Sequence, residues 1–282
     1  MGGCGGGVGT GGTGGFAAGP ITGFGSVIVN GVRFDDTTAN VEDADGGTRS
    51  RDELRLGMTV EVDSSAITTT ATGSTASATR IHFESALVGP VLTVDVAGGS
   101  FTLLGQRVEV DTATVFAESL PGALEGLSAG RMLEVYAVFD PSAARYRATR
   151  VEPAASGSGL RLRGQLNQVD TAAQTLRIGA TTYSYAGAAA LPPGLALGQV
   201  VRLRLGQLNN PLRWQVQSFG AALRDMPDGD DAKLKGLISA FTSSATFSVD
   251  GRPVDASAAS FPDGKSGLGV GVLDEPGVEL HQ

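Results

Sequence analysis

Leu54-Arg55-Leu56-Gly57-Met58-Thr59-Val60-Glu61-Val62 decides the fold of this chain. The same pattern returns at Leu127-Ser128-Ala129-Gly130-Arg131-Met132-Leu133-Glu134-Val135 and at Leu195-Ala196-Leu197-Gly198-Gln199-Val200-Val201-Arg202-Leu203. Each copy is Leu, any residue, a small or apolar residue, Gly, two residues, then apolar-x-apolar. It reads as a turn that feeds an alternating strand, at the spacing of a repeated small domain. The repeat predicts Gly57, Gly130 and Gly198 at equivalent turns, with Val60, Leu133 and Val201 pointing inward, since alternate strand residues share a face.

Upstream of the first copy lies Ile21-Thr22-Gly23-Phe24-Gly25-Ser26-Val27-Ile28-Val29-Asn30-Gly31-Val32-Arg33-Phe34-Asp35. Asn-Gly between alternating apolar runs signals a hairpin with a type I′ turn, which needs positive φ at both central residues. Opening glycines at 23, 89, 164 and 236 mark four modules about seventy residues apart, longer than a solenoid repeat. The predicted boundaries are 1–19 for a glycine-rich tether, 20–85, 86–153 and 159–220 for three barrel modules, and 234–282 for a partial fourth. Ser64 to Thr79 reads as a long surface loop or hairpin tip before a return strand at Arg80 to Phe83. In the fourth copy Phe247 to Gly251 matches the hairpin and Leu268 to Gly271 the turn. Asp274 and Pro276 then stand where the apolar-x-apolar strand should be. Proline cannot donate to a ladder, so this module is expected to lack its second half.

The 282 residues include 42 Gly, with 41% hydrophobic and 18% charged residues. Val, Thr and Ala are prominent and long helical periodicities are missing, an all-β signature. Units of about sixty residues bury little core, so neighbouring modules are expected to pack together. A net charge of −8 argues against general binding to nucleic acid or to an anionic membrane surface. The charge is uneven, however: residues 159–220 hold six arginines against one acid, Asp170.

A single cysteine forms no internal disulfide. Cys4 sits in Met1 to Gly15, which holds ten glycines, and no charge precedes Arg33. Such a stretch has little to bury and reads as a flexible tether. It resembles the mature start of a bacterial lipoprotein, with a diacylated cysteine and a glycine leash. Gly3 suits the small residue before such a cysteine, and the apolar signal segment that should precede it is not in the chain as given. Membrane contact is then expected through the lipid anchor only. No Lys-Ser/Thr follows the glycines, which a phosphate loop needs.

The opening hairpin, the Leu56 to Val62 signature and the Cys4 leash resemble bacterial proteins with tandem copies of domain-of-unknown-function family 5666. The resemblance is specific in the first module and looser in the second to fourth. It implies small closed or nearly closed β-barrels, similar to the oligonucleotide/oligosaccharide-binding fold, on exported or lipid-anchored proteins. It carries no activity, catalytic residue or cofactor.

Two histidines are present. His82 alternates with Ile81 and Phe83 in a strand, so an outward position is expected, and His281 lies in the tail. A Ser-His-Asp hydrolase would need His82 buried beside Ser and Asp partners, and there is no Gly-x-Ser-x-Gly elbow. Glu42-Asp43-Ala44-Asp45-Gly46 and the acids Asp225, Asp228, Asp230 and Asp231 read as solvated turns. From Asp43 the twelfth position is Leu54, where a calcium loop needs Glu.

In the third module Arg161, Arg163, Arg177, Arg202 and Arg204 alternate with apolar residues and share one face. Tyr183, Tyr185 and Trp214 lie in the same module. The simpler reading is a solvated face with arginine stems over the sheet and an aromatic core. The alternative is a binding face for anionic polysaccharide or single-stranded nucleic acid, through guanidinium contacts and ring stacking. The whole reads as a non-enzymatic binding or scaffolding protein of the bacterial cell envelope, an outer-membrane or periplasmic lipoprotein or a secreted protein. Its ligand or envelope partner is not named by the sequence.

Overall fold

A computed structural model describes residues 14–187, 190–208, 214–220, 231–234, 238–249, 251–257, 268–270 and 278–281. Its regular structure is almost wholly β. The first module holds β1 (Gly14–Gly23), β2 (Val27–Val29), β3 (Val32–Asp35), β4 (Asn40–Asp43), β5 (Thr48–Arg49), β6 (Thr59–Ser65), β7 (Thr68–Thr70) and β8 (Gly73–Phe83). The second holds β9 (Leu87–Asp95), β10 (Ser100–Leu103), β11 (Gln106–Glu109), β12 (Val115–Phe116), β13 (Met132–Asp140) and β14 (Arg145–Pro153). The third holds β15 (Leu160–Asp170), β16 (Thr175–Ile178), β17 (Thr181–Ser184), β18 (Val200–Gln207) and β19 (Trp214–Gly220). The last holds β20 (Asp231–Leu234), β21 (Ile238–Ser243), β22 (Thr246–Val249), β23 (Arg252–Asp255) and β24 (Val278–His281).

Three modules close the same way. In barrel 1 the ring runs β1-β2-β3-β8-β6 and back to β1, with β3 and β8 parallel. Barrel 2 repeats it as β9-β10-β11-β14-β13, and barrel 3 as β15-β16-β17-β19-β18. This first-second-third-fifth-fourth order, with the third and fifth strands parallel, is that of the oligonucleotide/oligosaccharide-binding fold. Short 3₁₀ turns at Arg51–Glu53 and Ala123–Gly126 lie between the third and fourth strands of barrels 1 and 2. Nearby Leu54, Leu124 and Leu127 are buried.

The signature turn does the same work in each ring. The Gly57 N–H donates to the Ile21 carbonyl at 2.8 Å and the Ile21 N–H to the Met58 carbonyl at 2.9 Å. Gly130 with Val91 and Gly198 with Leu166 repeat this pair of bonds. All three glycines have φ of +83 or +84, a region that costs other residues a clash between Cβ and the carbonyl. A bulge follows at the same place in each first strand, at Thr22, Leu92 and Asn167, and bends it around the barrel. Val60, Leu133 and Val201 are all buried. The bonded residues align Gly19, and not Gly23, with Gly89 and Gly164, which corrects the first opening glycine. The hairpin is the expected type I′ turn, with Asn30 at φ +52 and Gly31 at +74.

Several expectations on the strands change. β1 starts at Gly14, so residues 14–19 of the segment read as tether form a strand paired with β6. Cys4 and the rest of that segment lie outside the described residues. Of the two readings of Ser64 to Thr79, the hairpin tip holds and the loop does not, because β8 extends back to Gly73 and pairs there with β3 and antiparallel with β7. The fourth module has more than its first half: β24 pairs antiparallel with β20, as β6 does with β1. Asp274 and Pro276 lie outside the described residues, and the fourth strand comes after them.

The modules share cores as well as sheets. β9 pairs with β15, and one apolar cluster runs through barrels 2 and 3. Tyr136 of β13 packs into the core of barrel 1, and Phe16 of β1 into that of the last module. Barrels too small to be stable alone thus bury their outer apolar residues on one another.

Gly57→Ala and Gly130→Ala separate the two demands on the signature glycine. At Gly130 an added Cβ meets open space, whereas at Gly57 it meets the Thr149 carbonyl of β14. Chemical denaturation should show a loss of about 1 kcal/mol for Gly130→Ala, from φ alone, and a clearly larger loss for Gly57→Ala.

Candidate functional site

The candidate residues of the third module do not form an open binding face. Tyr183, Tyr185 and Trp214 are buried, Trp214 at 1% exposure. Aromatic bodies of this size contribute most when removed from water, which is why the barrel takes them into its core. The Tyr183 hydroxyl donates to the Leu104 carbonyl of barrel 2 at 2.9 Å and accepts from Gln106 at 2.7 Å. The Tyr185 hydroxyl donates to the Asp170 carbonyl at 3.3 Å. Two of the three aromatics thus spend their polar ends on protein partners, and no stacking platform remains.

Four of the five arginines do point away from the barrel, as alternation requires, but onto carboxylates. Arg202 donates to Glu84 at 2.5 Å and to the Ala44 carbonyl at the same distance. Arg163 stands 3.6 Å from Glu84, Arg204 binds Asp45 at 2.7 Å, and Arg161 lies 3.7 Å from Asp45 and 3.6 Å from Glu134. Glu84 is in the connection from β8 to β9, and Ala44 and Asp45 form the turn from β4 to β5. Barrel 3 is therefore clasped to barrel 1 although the two are not consecutive. Arg177 is exposed, and among the described residues no acid lies within ion-pair distance of it.

Burial works against the Arg202 charge, and the hydrogen bond and charge of Glu84 outweigh it, raising its pKa above the ordinary value. Glu134 goes the other way: burial raises its carboxyl, and Ser85 and Arg161 oppose the shift only in part. Asp43 and Asp45, read as part of a solvated turn, are thus structural, while the side chains of Asp225, Asp228, Asp230 and Asp231 lie outside the described residues. Asp43 accepts from the Asp45 and Gly47 amides and from Arg49. Burial would raise its carboxyl, but these bonds hold it below the usual range.

His82 points out of barrel 1, as expected, yet it is buried at 6% exposure because the other modules cover it. It lines a cavity of about 80 Å³ where all four modules meet, with Glu61, Gln165, Ser239 and Arg252. Its Nδ1 has no hydrogen-bond partner, and the Ser239 hydroxyl is engaged with the Ser248 carbonyl and the Gly251 amide. His82 thus has the burial a hydrolase would need, without a bonded Ser or Asp. The His281 side chain lies outside the described residues. Among the described residues no group of three or more His, Cys, Asp or Glu has metal-site geometry.

Glu84, Glu134 and Tyr136 are the residues that sequence reasoning missed, and Asp45 was read only as part of a solvated turn. One signal pointed to the acids, namely the basic third module in a chain of net negative charge.

With this geometry in view, residues 88–152 match a family model described as Domain of unknown function (DUF5666). The match spans barrel 2 from the second residue of β9 to the penultimate residue of β14. It falls on the second module, whereas the resemblance was most specific in the first. No curated protein and no solved structure matches the chain.

Removing the central acid should expose the clasp. Glu84→Ala leaves Arg163 and Arg202 facing each other without it, and should cost about 3 kcal/mol in chemical denaturation, as for a half-broken buried pair. Arg204→Ala, in a half-exposed pair, should cost no more than about 1 kcal/mol, and Arg177→Ala should stay within about 0.5 kcal/mol.

Proposed function

We propose that this chain is a non-enzymatic binding or scaffolding protein of the bacterial cell envelope, held to a membrane by lipid on Cys4. The observation that carries the binding or scaffolding role is the clasp, in which Glu84, Asp45 and Glu134 take up four arginines of barrel 3. It joins barrels of a ligand-binding fold class into one body, and it uses conformational freedom that a hinged enzyme would keep. The envelope address rests on the sequence, where ten glycines surround a lone Cys4 in the first fifteen residues. A single acyl chain binds membranes only marginally and two hold stably, so a diacylated cysteine would suffice as anchor. Among the described residues no helix is long and apolar enough to cross a membrane.

The reading in which barrel 3 holds anionic polysaccharide or single-stranded nucleic acid is weakened. Of the five arginines singled out, Arg161, Arg163, Arg202 and Arg204 are taken up by acids, and the aromatics are in the core. A hydrolase centred on His82 is the weakest alternative, for want of a bonded nucleophile.

Fractionation of the producing cells tests the anchor. The chain should pellet with membranes and be released by detergent, and Cys4→Ser should move it to the soluble fraction. A soluble parent, or a Cys4→Ser variant that stays with membranes, overturns the lipid-anchor reading.

A further inference from the structure

A cleft of about 390 Å³ opens between barrels 1 and 2. It falls in the size range of small-molecule sites, about 300–1,000 Å³, and at a module boundary, where such sites concentrate. Its polar lining is under-satisfied. The Arg161 Nε is buried without a hydrogen-bond partner, and its terminal nitrogens stand 3.7 Å from Asp45 and 3.6 Å from Glu134. Both gaps are wider than a hydrogen bond. Tyr136 lines the same cleft and is 2% exposed. Its carbonyl accepts from Thr149, and among the described residues its hydroxyl has no hydrogen-bond partner. Buried polar groups are nearly always paired, so the Arg161 Nε left without a partner marks a place where something else can supply one.

Resting on the binding role proposed above, we propose that this cleft is a saccharide site in which sugar hydroxyls complete the hydrogen bonding of Arg161, Glu134 and Tyr136. A hydroxyl both donates and accepts, so one can sit between the Arg161 guanidinium and the Glu134 carboxylate and serve each. Neither a pure donor nor a pure acceptor does this. Charge narrows the class further. Six carboxylates and three guanidiniums line the cleft, which disfavours an anion. Arginines paired from behind, such as Arg150 on Glu152 and Arg202 on Glu84, weaken the pull on a free cation. A neutral sugar meets neither penalty, and Met58 and Phe83 offer apolar surface to its C–H groups. Burial raises the Glu134 carboxyl, and burial with the neighbouring Glu134 and Glu152 raises the Tyr136 phenol. Both shifts fit a pocket that lacks its own solvating groups.

Isothermal titration of the whole chain tests this with glucose, galactose, N-acetylglucosamine and their disaccharides, with glucuronate and spermidine as charged probes. A neutral sugar should bind, and Tyr136→Phe should weaken it about tenfold, the worth of one well-made hydrogen bond. The ring stays in the core and the lost hydroxyl has no protein partner, so the melting temperature should hold. Glu134→Gln, which keeps the shape, should weaken the same sugar, and Arg177→Ala should leave it unchanged. No binding by any neutral sugar overturns the proposal. So does preference for glucuronate or spermidine, or undiminished binding by both Tyr136→Phe and Glu134→Gln. Sugar binding and membrane fractionation are separate readouts, so the site and the envelope reading fail independently.

Discussion

The arrangement of the barrels turns on one carboxylate. Glu84 sits in the short connection between the first two barrels, and two arginines of the third barrel converge on it, Arg202 at 2.5 Å and Arg163 at 3.6 Å. A buried ion pair adds little net stability, because the Coulomb attraction must first offset the loss of hydration. What it supplies is direction. The attraction between the modules comes from apolar contact: Tyr136 in the core of barrel 1, Phe16 in the last module, and the cluster shared by barrels 2 and 3. Apolar contact is indifferent to rotation. Arginine forks on Glu84, Asp45 and the Ala44 carbonyl are not, and they select one orientation among those that bury similar area.

The same division of labour holds within a barrel. The five-stranded ring is closed by alternating apolar residues, but its curvature is set locally, by the bulge in the first strand and the glycine turn before the fourth. Three turns with nearly identical φ and the same pair of backbone bonds show that the repeat is one of backbone geometry. Outer residues could therefore diverge freely. Gly57 touches β14 of barrel 2, Gly130 faces open space, and Leu197 of the third signature is largely exposed, although all three belong to one nine-residue pattern.

Docking also changes what an outward residue is. His82, Tyr136 and the arginines of barrel 3 all lie on outer faces, and an isolated barrel would present them to water. The assembly buries most of them, and where the fit is imperfect it leaves polar atoms unpaired, at the cleft beside Tyr136 and in the cavity beside His82. The cleft and the cavity lie between modules, away from the strand surfaces where this fold class usually binds.

The sequence by itself determined the all-β class, the recurrence of the signature turn, the type I′ turn at Asn30-Gly31 and the inward Val60, Leu133 and Val201. These follow from turn chemistry and period-two alternation, which act over a few residues. It also placed the five arginines on one face. Only the tertiary structure decided what that face meets, because Glu84 and Arg202 are far apart along the chain and alternation says which side a residue takes, not which module lies there. The aromatics were legible: the simpler reading of the sequence placed Tyr183, Tyr185 and Trp214 in a core, and they are buried there. The unpaired groups of the cleft were illegible, since whether Tyr136 finds a partner depends on how two barrels meet, and no local pattern encodes that distance.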